Sequence, residues 1–123
     1  MNDVSVQQLE QQRKDAEMLI ERRNAAIRLS SNADFKRLFL DEYFTKEAAR
    51  MVQLGGDPAL SKEQREDALQ MAMATGHTKR FLSVIVQQGA KAESEMDDLD
   101  EMIREAEAEA EQAEMEENEG SIQ

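Results

Sequence analysis

Apolar and small residues recur through the C-terminal half of this chain at alternating steps of three and four. They are Leu82, Ile85, Gly89, Ala92, Met96, Leu99, Ile103, Ala106, Ala110 and Ala113. Two such steps span seven residues, and a seven-residue repeat keeps one side of an α-helix apolar along its length. A strand cannot use this pattern, because its side chains alternate with a period of two. The seam therefore predicts a long helix that lies against another helix. It projects back through Thr78, Thr75, Met71 and Ala68, half of them polar. It also weakens forward, from Leu and Ile to Met and then Ala, whose small area gains little at roughly 25 cal/mol per Å².

Charge acts against the far end of the seam. Between Glu93 and Glu119 there are fourteen acids and one base, Arg104. The rest of the chain holds thirteen acids and fourteen bases, so the net charge of −12 belongs to one end of a nearly neutral body. Glutamates one turn apart repel by a few tenths of a kcal/mol per pair. The pattern predicts helix to about Ala110, fraying beyond it, and disorder from Asn118.

Upstream, Gly and Pro are scarce and helix formers dominate. A first amphipathic helix is predicted from Val4 to Leu29, capped by Asn2 or Asp3. Its stripe is Leu9, Ala16, Ile20 and Ile27, with Leu19 and Ala26 beside it and Arg13 and Arg23 interrupting it. A second helix is predicted from Asn32–Asp34 to Leu54, with Asn32 or Asp34 as its cap. It is the most apolar segment. Phe35, Leu38 and Phe39 share one side; Leu40, Tyr43, Phe44, Ala48, Met51 and Leu54 form another line. Gly55-Gly56-Asp57-Pro58 ends it, with a glycine expected in the left-handed conformation. Ser61-Lys62-Glu63-Gln64 reads as a capping box opening a third helix. Gly76 and His77 either break that helix or are carried through it.

The fold class predicted is all-α: a three- or four-helix assembly with a long, partly coiled-coil C-terminal helix and a frayed acidic end. The divisions read from the pattern are 1–31, an N-terminal amphipathic helix; 32–106, a helical core and seam; and 107–123, an acidic tail.

Chemistry finds little purchase in these residues. With no cysteine there is no disulfide, thiolate metal site or cysteine nucleophile. His77 is the single histidine and has no second His or Cys to complete a metal site; it reads as a surface or helix-end residue. The Asp97-Asp98-Asp100-Glu101 run lacks the two contrasting environments that acid–base catalysis needs and the central glycine of a calcium loop. Gly55-Gly56 lacks the rest of a phosphate loop. No apolar run approaches the roughly 20 residues of a membrane span, and no secretory leader opens the chain. Arg22-Arg23 and His77-Thr78-Lys79-Arg80 are too short for a nucleic-acid stripe, and the acidic end repels a duplex. The chain reads as non-enzymatic, without cofactor, metal or direct nucleic-acid binding.

Three stretches carry a resemblance: DFKRLFLDEYFTKEAARMV at 34–52, GGDPALSKEQREDAL at 55–69 and GHTKRFLSVIVQQGAKAE at 76–93. Asp34, Phe35, Ala49-Arg50, Asp57-Pro58, Gly76, Arg80-Phe81, Gly89 and Ala92-Glu93 match its pattern. Together they resemble small helical proteins of tailed bacteriophages encoded among head-morphogenesis genes. The resemblance covers about half the chain and consists of packing and turn motifs. It implies a virion-associated or assembly role, in the host cytoplasm or the particle, with capsid, portal or core proteins as partners.

The residues expected to meet a partner or a second copy are Phe35, Phe39, Phe44, Leu82, Ile85, Met96, Leu99 and Ile103. For the aromatics, an intramolecular core is the competing role. A second function class is an inhibitor whose carboxylates from Glu105 to Glu117 imitate a phosphate backbone.

Overall fold

The computed structural model describes residues 5–122. The chain is all-α. Helix α1 spans Val6–Ser31 and a second helical run covers 33–55. That run comprises α2 (Ala33–Phe35), a π-helical segment (Lys36–Glu47) and α3 (Ala48–Gly55). Helix α4 spans Lys62–Ile122.

The helix starts follow from short side chains that satisfy free N–H groups. At the first, the Gln8 N–H donates to Ser5 Oγ at 3.2 Å and the Ser5 N–H to Gln8 Oε1 at 3.0 Å. This capping box replaces the cap expected from Asn2 or Asp3, which lie outside the described residues. Asn32 caps the second run, its Oδ1 accepting from the Phe35 N–H at 3.0 Å. Ser61 and Gln64 form the predicted capping box of α4, at 3.1 and 3.0 Å.

One turn expectation is corrected, and of the two courses left open at Gly76 the helix takes the continuous one. No glycine among the described residues has a positive φ; Gly56 sits at φ −102°. Gly55 is instead the last residue of α3, where a Cβ atom would stand 2.6 Å from Leu69 Cγ. Its missing side chain allows α3 and α4 to approach each other. Gly76 does not break α4: it is exposed, with nothing within 4 Å of its Cβ position.

The charged end also differs from expectation. Backbone helix continues past Ala110 to Ile122, and residues 107–120 are all exposed. Ala and Glu are good helix formers even where they bury nothing, and a Gln112 Nε2 to Glu116 Oε1 contact of 3.4 Å lies one turn apart there. Packing still ends where the seam weakens, since Ala106 is the last partly covered residue.

The chain divides into two compact units, residues 1–21 with 88–123, and residues 22–87. In the first, Leu9, Ala16 and Ala92 are buried, with Gly89. Small residues such as these let helices approach closely. In the second, Ala26, Ala68, Thr75 and Ile85 are buried. The Thr75 hydroxyl donates to the Ala72 carbonyl at 2.7 Å, so its burial leaves no hydroxyl unpaired. Ala26 is covered where the stripe predicted Ile27, which is 48% exposed. Within this unit the covered positions Arg23, Ala26 and Ser30 of α1 keep three- and four-residue steps.

Candidate interaction surfaces

From Leu82 to Ala106 the predicted seam is covered by the chain itself. Ile85 is buried, and Leu82, Met96, Leu99 and Ile103 are half-buried. Within the first unit, α1 supplies the partner. Arg13 Nε lies 2.9 Å from Asp100 Oδ1. Ala16 and Leu19 line a groove of about 560 Å³ with Ala92, Leu99 and Met102. Around this apolar floor stand Asp15, Glu95 and Asp98, with Lys91 as the one cation.

In the second unit, the wider turn of the π-helical segment brings four aromatics into one chain of ring contacts. Phe35 and Phe39 stack at 5.0 Å, and Phe39 meets Tyr43 at 6.0 Å and Phe44 at 6.3 Å. Tyr43 and Phe44 are 5.5 Å apart. The Thr45 hydroxyl donates to the Leu40 carbonyl five residues back, at 2.9 Å, in keeping with a wide turn. Phe35 and Phe44 are half-buried, while Phe39 is 41% exposed. The two apolar lines expected on an α-helix thus merge into one aromatic cluster that no neighbouring element fully covers.

Beside it, Tyr43, Glu47 and Met51 share a cleft with Met71, Ala74 and Thr75 of α4. Glu47 is bound to Arg50 by two hydrogen bonds, at 2.6 and 3.1 Å. The hydrogen bond from Arg50 holds the Glu47 carboxyl below its ordinary range, and the same bond raises the Arg50 guanidinium. This pair is on the surface and organises the helix face.

Open residues that the periodicity did not single out include Val52, Leu69, Met73 and Phe81, all more than two-fifths exposed. Phe81 is the clearest case, at 58%. The signal was available: Phe81 precedes seam residue Leu82, and adjacent helical positions cannot share one face. His77 lies exposed within α4 rather than at a helix end. Among the described residues no cluster of His, Cys, Asp and Glu is arranged to hold a metal, and no helix is long and apolar enough to cross a membrane. No protein-family model, curated protein or solved structure matches this chain.

Proposed function

We propose that this chain is a non-enzymatic helical interaction protein that associates with copies of itself and with a protein partner, as a bacteriophage head-assembly or virion-associated factor. The supporting observation is the balance of covered and open apolar surface. Among the described residues no side chain is fully buried, and six apolar residues are 9% exposed or less. Twelve large apolar side chains are more than two-fifths exposed, nine of them in the unit of residues 22–87. Full burial of one such side chain yields about 1.5–3 kcal/mol, so covering several of them is a strong drive to association. Met18, Met71, Met73, Met102 and Met115 are among the open residues, and flexible thioethers adapt to more than one partner surface.

The phage setting rests on the motif resemblance. Its segments at 34–52, 55–69 and 76–93 contain Leu38, Phe39, Val52, Leu69 and Phe81, five of the open residues. Mass spectrometry of purified particles and of assembly intermediates tests it. The chain is expected in one or the other, and absence from both overturns the assembly role.

A second reading is favoured by the helix beyond Ala106. Eight carboxylates from Glu105 to Glu119 lie along about 21 Å of helix at roughly 1.5 Å per residue. Their mean axial rise of about 3 Å is close to the roughly 3.4 Å of helix axis per phosphate on one DNA strand. An inhibitor that imitates DNA would use this surface. Removing residues 105–123 separates the readings, because it abolishes such inhibition while particle assembly survives.

A further inference from the structure

We infer that the groove between α1 and α4 in the unit of residues 1–21 and 88–123 docks a basic amphipathic helix from a partner protein. This rests on the interaction-protein reading, but the open residues of the 22–87 unit take no part in it. Three observations define the occupant.

The first is shape. Gln88, Glu95 and Met102 follow one another on α4 at seven-residue steps and line one side of the groove, whose lining comes from α1 and α4 alone. From Gln88 to Met102 the wall runs about 21 Å, the length of a helix of about fourteen residues.

The second is composition. An apolar floor with charged edges fits a helix that carries apolar residues at three- and four-residue steps and charge on its flanks.

The third is charge. This unit holds nineteen acids and four bases, a net −15, while residues 22–87 hold eight acids and eleven bases, +3. Glu95 and Asp98 make no ion pair among the described residues. A second copy of this unit is repelled by the same charge, and so is nucleic acid. A helix flanked by Lys or Arg is attracted.

The test uses full-length protein and a synthetic eighteen-residue helical peptide with Leu and Ala on one face and Lys on both flanks. Its twin carries Glu in place of each Lys. Fluorescence anisotropy is expected to show binding of the Lys peptide, weakened by salt, and none of its twin. Glu95→Lys with Asp98→Lys is expected to weaken binding about tenfold; both residues are exposed, and circular dichroism checks the fold. Glu105→Lys with Glu109→Lys makes the same charge change outside the groove and is expected to leave affinity within about twofold. Phe39→Glu with Phe81→Glu, chosen to disrupt self-association, is expected to leave peptide binding unchanged. Equal loss in the two lysine double variants overturns the groove in favour of diffuse attraction to the acidic helix. Equal binding of the two peptides, or no binding at all, overturns the basic occupant. Neither result touches self-association, which is measured separately.

Discussion

Arg13 joins α1 to α4 at the level of Asp100, with Nε 2.9 Å from Oδ1 and Glu17 Oε1 at 3.6 Å. Arg13 stands on the apolar stripe between Leu9 and Ala16, a position that a simple core gives to an aliphatic residue. The two side chains are 47% and 34% exposed, so solvent screens the pair. Its main effect is register, because a charge in the seam selects which turn of α4 faces which turn of α1. Arg13→Ala is expected to lower stability by less than about 1 kcal/mol. Arg13→Asp combined with Asp100→Arg is expected to recover part of that. A double-mutant cycle by chemical denaturation checks the coupling; zero coupling contradicts the register role.

Gly76 and Gly55 separate two uses of glycine. Gly76 lies in an exposed helix interior with open space at its Cβ position. Gly76→Ala is therefore expected to stabilise by about 0.5–1 kcal/mol. At Gly55 the same substitution drives a methyl group into Leu69. It is expected to destabilise by about 1–3 kcal/mol, with Leu69→Ala relieving part of the loss. Thermal unfolding of the three variants checks both signs.

Acidification probes Glu47. Its carboxyl is held below the ordinary range by the hydrogen bond from Arg50. A depressed folded pKa means that the pair's stabilisation is present above the ordinary value of 4.5 and is lost as pH falls below it. Glu47→Gln is expected to flatten melting temperature against pH in that acidic window and to change little of its slope at neutral pH. An unchanged acid slope in the variant contradicts the assignment.

Capping and tail variants test where the fold ends. Ser61→Ala removes the oxygen that accepts from the Gln64 N–H and is expected to cost about 1 kcal/mol. Deleting residues 107–123 removes a segment whose described side chains, 107–120, are all exposed. It is expected to change stability by less than about 0.5 kcal/mol, while lowering helix content by circular dichroism. A large loss of stability on deletion shows that the acidic helix packs on the body.

Much of the fold was legible because caps and seams are local. Asn32, Ser61 and Gln64 announce helix starts by chemistry alone, and Ile85, Ala92 and Leu99 keep their period wherever the helix lies. Ser5 with Gln8 is equally readable from sequence as a capping box. Other features depended on tertiary neighbours. The wide turn of residues 36–47 gathers rings that any α-helical reading places on two faces. Ala26 is covered in preference to Ile27 because the covered positions of α1 in the 22–87 unit step through Arg23, Ala26 and Ser30, two of them polar, which an apolar stripe skips. The groove was hidden because Glu95 and Asp98 read as solvated charge until Ala16 and Leu19 stand opposite them.

The central claim is that the open apolar residues of the 22–87 unit are association surface. Sedimentation velocity across a concentration series reaching roughly tens of micromolar, a range that populates modest affinities, tests it most directly. The account predicts a concentration-dependent oligomer, and a shift toward monomer for Phe39→Glu with Phe81→Glu while circular dichroism is unchanged. A strict monomer throughout the series, or an oligomer indifferent to both substitutions, contradicts it.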